Sequence, residues 1–365
     1  VTDEKMYTFW LCNKQGIGIK KITDLLCFFK EAEYIFKASK EELMQVRSLK
    51  EKDIDLLLSG QDEDRLKRDY EEMYKKGIQF VYKKEEQYPD KLRFLQDAPY
   101  GLFYKGHLPQ KGKVSVAIVG SRRVSYEGRA LAQRFGKELA EHGIEVVSGL
   151  ALGVDIAAQR GAMEVPCGKT FSVLGNGVDI CYPAQHIEEY MRMQQYGGVL
   201  SEFPLNAPSM PYHFPMRNRI ISGLSDGILV IEAKKGSGSL ITAETGLEQG
   251  REIFVVPGSI TNPQYEGGNE LLKSGACLVT NIKDILDGLG LFYDEDVENR
   301  KKKYEVMLET TEKIVYAILS LEPLHISQIA QMCGLDINCT MEALLSLQTK
   351  KMVEMAGGSY YMIKM

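Results

Sequence analysis

The sequence predicts an α/β protein, an extended parallel sheet with helices on both faces, on three observations. Between residues 114 and 289, short runs rich in Val, Ile and Leu alternate with helical patterns, which is the signature of repeated βα units. The run Val116-Ala117-Ile118-Val119 is apolar throughout, which suits a strand buried on both faces. Nearly every run ends in a Gly-containing turn before the next helix begins. The architecture expected is a Rossmann-like sheet over 113–290, preceded by a small helical module of helix-hairpin-helix or SAM-like type and followed by a winged helix.

Residues 1–76 carry the helical module. Helical periodicity runs from 7 to 58, interrupted at Gly16-Ile17-Gly18 and Val46-Arg47-Ser48-Leu49, and a charged helix follows at 62–76. Short helices around a Gly-x-Gly turn resemble helix-hairpin-helix modules, whose turn amides touch backbone phosphate. The acidic residues Glu41, Glu42, Glu51, Asp53 and Asp55 favour a plain structural bundle. Residues 77–112 form a β-rich approach to the core, with strands at 78–82 and 101–104, and the boundary is placed where Pro, Gly and Lys cluster at 107–113.

The core strands are predicted at 114–119, 144–148, 170–174, 198–202, 227–232, 252–256 and 277–280. Ligands of open α/β sheets bind outside the carboxyl ends of the strands, so the loops there form the candidate site. The first is Gly120-Ser121-Arg122-Arg123, where backbone N–H groups at a helix start and two guanidinium groups suit a phosphate. It is not a dinucleotide fingerprint, because Arg122 and Ser125 stand where glycines are needed, nor is it a Walker loop. The second strand leads into Ser148-Gly149-Leu150-Ala151-Leu152-Gly153, and the third into Gly175-Asn176-Gly177. The fifth leads into Lys234-Lys235-Gly236-Ser237-Gly238-Ser239, where Ser237 and Ser239 cap a helix or donate to phosphate.

After the fourth strand a Pro-rich span leads into a helix opening with His213-Phe214-Pro215-Met216-Arg217-Asn218-Arg219. Arginine for phosphate beside an aromatic face for stacking is the pattern of single-stranded nucleic-acid sites. Arg217 and Arg219 are two apart and diverge on a helix, so one of them is expected to face the site.

Charge narrows the functional classes. A formal net charge of −5 and a pI near 5.8 exclude a broadly basic nucleic-acid coat and leave a local patch. Seven scattered cysteines without a C-x-x-C pair indicate reduced usage, with neither a disulfide framework nor a zinc site. A signal-like start and a membrane-length apolar run are both missing from the sequence, so a cytoplasmic protein without membrane contact is expected. Catalytic groups are sparse. His142, His186 and His213 fall in different units, Asp155 suits a helix brace, and Glu202, Glu232 and Glu244 suit structural or arginine-pairing roles. No catalytic residue, metal or cofactor is expected.

The acidic and then basic run YDEDVENRKKK places a solvated linker at 291–303. Over 304–365, helices at 311–320, 326–333 and 338–350 and a hairpin turning at Gly357-Gly358 fit a winged helix. Its third helix has basic residues only at its end, which favours protein contact or weak DNA binding over base readout.

Six motifs in order carry a family resemblance: VAIVGSRRVSYEG (116–128), VVSGLALGVDIAAQRGAM, CYPAQH (181–186), HFPMRNRIISGLSDGILVIEA (213–233), GSGSLITAETGLEQGR (236–251) and FVVPGSI (254–260). The chain resembles the DprA/Smf family, the DNA-processing proteins of bacterial natural transformation. That resemblance implies a Rossmann-like core that binds and protects single-stranded DNA, helps load the RecA recombinase, acts as a homodimer through that core and has no established catalysis. Carried over by motif, it implies Arg122 as the first phosphate contact, with Ser121 and Arg123 beside it. It also implies Phe214 as a stacking ring and Arg217, Asn218 and Arg219 as contacts or scaffold; Gly149, Lys234, Ser237 and Ser239, read from their Gly-rich strand-end loops, complete the expected single-strand contacts, the loop of Lys234 and Lys235 not being a fixed part of the motif.

Two other readings compete. The Gly236-Ser237-Gly238-Ser239 loop followed by Glu244 is loosely similar to the Gly-Gly-x-Gly-Thr loop and glutamate of plant LOG phosphoribohydrolases, with Ser237 and Ser239 departing from it. That reading makes the chain an enzyme acting on a nucleoside monophosphate. A transcription regulator working through the winged helix is the third.

Overall fold

A computed structural model describes residues 3–291, 310–320, 322–350 and 352–364. Contacts divide the chain into two compact units, Val1–Phe292 and Tyr293–Met365. From residue 292 onward the expected linker lies outside the described residues, as do the first positions of the expected winged helix.

In the first unit the apolar runs pair into one nine-stranded sheet: β1 (Gln79–Tyr82), β2 (Gly101–Gly106), β3 (Ser115–Gly120), β4 (Glu145–Ser148), β5 (Thr170–Val173), β6 (Gly197–Ser201), β7 (Gly227–Ile231), β8 (Glu252–Val255) and β9 (Cys277–Leu278). Their order is β1-β2-β6-β5-β4-β3-β7-β8-β9. The strands β3 to β9 pair in parallel, while β2 runs antiparallel to β6 and β1 antiparallel to β2. Helices cover both faces, so the central strands are buried along their length, their polar members Ser115, Ser148, Thr170 and Ser172 included.

The segment 77–112 is thus part of the core sheet rather than a layer ahead of it. Leu102 and Phe103, neighbours on opposite faces of β2, are both fully buried, which an isolated approach hairpin would not achieve. The helical module supplies one cover: Phe9 packs edge-on against Phe80 and Phe103, at 5.9 and 6.0 Å between ring centroids. The module and the sheet therefore share a core.

Strand order reverses at β3, which lies between β4 and β7 although the chain reaches β7 only after β6. The crevice at its carboxyl end is the topological switch point, where an open α/β sheet parts its loops to either side.

The second unit has helices Thr310–Ile318, Ile326–Cys333 and Ile337–Thr349 around a core that includes Val315, Ile329, Leu344 and Val353. Three antiparallel strands accompany them, β10 (Leu324–His325), β11 (Val353–Gly357) and β12 (Tyr360–Ile363), in the order β10-β12-β11. The expected two-stranded hairpin gains β10, which two residues without periodicity do not announce. Among the described residues no helix is long and apolar enough to cross a membrane.

Candidate nucleic-acid interface

The site grows from the end of β3. Gly120 closes the strand, and the loop after it is fastened at Ser125, which caps the helix Tyr126–Glu141 by accepting from Gly128 N at 3.0 Å. Ser125 is held in turn by Glu232, a fully buried residue just past β7. The Glu232 carboxylate accepts from Ser125 N at 2.8 Å, from Ser125 Oγ, and from the Tyr265 hydroxyl at 3.2 Å. All of its bonds are to the scaffold, so Glu232 works as a pin. The loop between Gly120 and Ser125 leaves Arg122 and Arg123 exposed, and Ser121 Oγ accepts from Arg123 N at 3.1 Å.

The helix His213–Gly223 crosses the same crevice. Its Arg217 is 4% exposed, and Nη1 donates to Gly149 O at 2.8 Å and to Val173 O. Asp155, buried beneath, accepts from Gly149 N at 3.0 Å. Burial pushes the Arg217 guanidinium down to about 10 against the attraction of Asp155, and the neighbouring Arg122 adds to the fall. Burial likewise raises the Asp155 carboxyl, opposed by Arg217 and by the Gly149 amide. Arg217 keeps its charge at neutral pH, and among the described residues its Nε has no hydrogen-bond partner.

Above this buried cation lies an aromatic floor. The Arg122 guanidinium stands 5.1 Å from the Phe214 ring centroid, a cation–π distance, and Tyr182 lies 5.7 Å from Phe214 with a 34° tilt. The helix Gly238–Glu248 closes the far side, where Ser237 Oγ and Ser239 Oγ are 2.8 Å apart and Asn218 Nδ2 donates to Gly238 O at 3.2 Å. Together these walls enclose a cavity of about 570 Å3.

Nine of the residues singled out in the sequence line that cavity: Ser121, Arg122, Arg123, Phe214, Arg217, Asn218, Lys234, Ser237 and Ser239. Gly149 stands behind the wall and holds Arg217. Arg219 does not reach the cavity. It is buried on the other side of its helix, paired with Glu202 and, at 3.3 Å, with Asp97. The two-residue spacing turns it away, and the carboxylates opposite keep it there.

Tyr182 and Asp155 line the cavity without having been assigned to it from the sequence. Tyr182 sits in a turn of the CYPAQH motif well past the end of β5, beyond the strand-end rule. Glu244, which the hydrolase reading needs, is exposed and lies outside the lining. Among the described residues no group of three or more His, Cys, Asp or Glu could hold a metal ion.

A doubly wound sheet with an exposed and a buried arginine near paired rings at its switch point defines a Rossmann-like domain. The chain belongs to the DNA recombination-mediator protein A family, whose model matches residues 79–290. It is 38% identical to Protein Smf of Escherichia coli (strain K12) over 286 residues, 76% of each chain. To DNA processing protein DprA of Streptococcus pneumoniae (strain R6) it is 43% identical over 203 residues, 54% of this chain and 70% of that protein. The crystal structure of DprA from Streptococcus pneumoniae superposes with a TM-score of 0.65 at 32% identity, covering 80% of this chain and 99% of that one. DNA processing protein A from Helicobacter pylori, solved to give insight into its unique single-stranded DNA binding mode, superposes with a TM-score of 0.52 at 30% identity, covering 59% of this chain and 97% of that one.

Proposed function

We propose that this chain binds single-stranded DNA in the switch-point cavity, shields it there and delivers it to a RecA-type recombinase during transformation and homologous recombination. The observation that carries the reading is the Arg122–Phe214 cation–π pair, with Arg217 in the lining of the same cavity. An exposed guanidinium lies over a half-buried ring, and a second, buried guanidinium lies in the same wall. A phosphate displaces Arg122 from the ring and takes its charge, and the freed ring face receives a base. The site residues of this reading are Ser121, Arg122, Arg123, Phe214, Arg217, Asn218, Lys234, Ser237 and Ser239, with Gly149 supporting Arg217. Binding to the relative from Helicobacter pylori is the supporting precedent.

No catalytic step belongs to this function, and the protein acts in the cytoplasm as a homodimer through its Rossmann-like domain, as the family resemblance suggests. The second unit is read as a winged helix engaged in protein contact. Its helix Ile337–Thr349 exposes Ile337 and Leu345. The test is fluorescence anisotropy with labelled oligothymidylate and a matching duplex, for the unaltered chain and for Arg122→Ala. Preference for the single strand and its loss in the variant are expected. Equal affinity for both forms, or an unchanged Arg122→Ala, would refute the reading. Sedimentation of the chain with and without DNA tests the dimer, and strand exchange with added RecA tests the delivery.

A further inference from the structure

Exposed aromatic rings are scattered over the described residues, and Tyr182 is the one among them that lines the switch-point cavity. An exposed tyrosine by itself needs no explanation. This one is 45% exposed, and its ring lies against Phe214, the ring that the single-strand reading gives to a base. The same lining holds Arg122 and Arg123, so a nucleotide at Tyr182 has a cation in reach of its phosphate.

The turn that carries Tyr182 is fastened on both sides. Before it, Asn176, 1% exposed, donates from Nδ2 to Ile180 O at 2.7 Å and to Gly177 O at 2.9 Å. After it, the buried His186 donates from Nδ1 to Leu150 O at 3.0 Å, since a ring nitrogen that faces a carbonyl is the one that carries the proton. Leu150 follows Gly149, whose carbonyl accepts from Arg217, so the turn is tied to the stretch of backbone that holds the buried guanidinium. A ring presented from a turn fixed in this way costs little further ordering when a ligand settles on it.

The spacing of the two rings decides how a base uses them. Stacked layers lie about 3.4 Å apart, so a base slid between two rings needs roughly 7 Å. The centroids of Tyr182 and Phe214 are 5.7 Å apart, which leaves no room for one. We propose that Tyr182 is a second stacking platform, which takes on its open side the base next to the one held by Phe214, so that the site carries two consecutive bases of one strand. The proposal rests on the single-strand reading above. Every base has a π-face, so this platform adds affinity without sequence preference.

The experiment uses the full chain and an oligothymidylate cut to the shortest length that keeps its affinity, with one thymine replaced by 5-iodouracil at each position in turn. Irradiation joins iodouracil to an aromatic side chain stacked on it, and mass spectrometry of the digest identifies that residue. The expected result is capture of Tyr182 at one position and of Phe214 at an adjacent one. In anisotropy with the unmodified oligonucleotide, Tyr182→Ala should bind about fivefold or more weakly, the lower end of what one base–aromatic stack contributes, while Tyr182→Phe stays within about twofold of the unaltered chain. Capture of Phe214 without Tyr182, capture of both at a single position, an unchanged affinity in Tyr182→Ala, or a Tyr182→Phe as weak as Tyr182→Ala would each overturn the second platform alone. Failure of the unaltered chain to bind the oligonucleotide would overturn the single-strand reading with it.

Discussion

Gly149→Ala is the change that most sharply tests the buried half of the site. A Cβ at that position would lie 2.2 Å from Arg217 Nη1 and 2.5 Å from its Cζ, inside any permissible contact. Backbone movement is no escape, because Gly149 N is tied to Asp155 and Gly149 O is itself an acceptor of the guanidinium. Arg217 must therefore leave, and three buried groups lose their partner: Gly149 O, Val173 O and the charge of Asp155. Breaking a buried pair so that one charge stays uncompensated costs about 3–5 kcal/mol. At roughly 2–4 °C per kcal/mol for a domain of this size, the first thermal transition should fall by about 6–20 °C. The expelled guanidinium also vacates the cavity wall, so oligothymidylate affinity should drop at least tenfold at temperatures where the chain stays folded. Differential scanning calorimetry and anisotropy measure the two effects. A melting temperature within 1 °C of the unaltered chain, or an affinity within twofold, would refute the account of Arg217 as the buried cation of the site.

Arg122→Ala removes one exposed phosphate contact. It should reduce the slope of log affinity against log salt by about 0.7 while leaving thermal stability unchanged, which a salt titration by anisotropy reads directly. Glu232→Gln keeps the shape of the pin but weakens its charge-assisted bonds to Ser125. About 1–3 kcal/mol of stability should be lost in urea unfolding, with weaker DNA binding as the Arg122 loop loosens. In the helical module, burial raises the Asp53 carboxyl, but the Lys21 ammonium at 2.7 Å and the Lys50 amide outweigh it and hold the group below its ordinary range. The stability it contributes is thus present above the ordinary carboxylate range and is lost as pH falls through the depressed value. Asp53→Asn should flatten the acid limb of a stability-against-pH curve, and an unchanged limb would show that the pair contributes nothing.

The runs Val116–Val119 of β3 and Ile228–Ile231 of β7 were legible because a strand covered on both faces has little choice but to be largely apolar, whereas β4, β5, β6 and β8 keep that bias only around Glu145, Ser148, Thr170, Ser172, Ser201 and Glu252. Where burial is one-sided or partner-dependent the signal fades. The two residues of β9 are exposed and carry no pattern, and nothing local in 101–106 announces that β2 will pair antiparallel with β6, a hundred residues downstream. The loops of the site were legible through chain order alone, since a doubly wound sheet puts all its strand-to-helix turns on one edge. Tyr182 escaped that logic because it sits deep in a long loop that folds back over the edge.

The two arginines of the HFPMRNR segment show where sequence reasoning stops and structure decides. In the sequence Arg217 and Arg219 are equivalent: same residue type, same helix, two positions apart. Helical geometry separates their directions but does not choose between them. The choice is made by what each finds opposite. Arg219 meets the carboxylates of Glu202 and Asp97, so its charge is consumed within the fold and little remains for an anion. Arg217 meets two backbone carbonyls directly, and its compensating carboxylate, Asp155, is bonded to the Gly149 amide and buried beneath. Its field is only partly offset, and it lines the cavity that Arg122 covers from outside. The same logic lets the proposed polyanion site stand on a chain of net charge −5. What a phosphate would meet there is the local imbalance at one strand end, where a glycine lets a guanidinium take up carbonyl partners in place of a carboxylate.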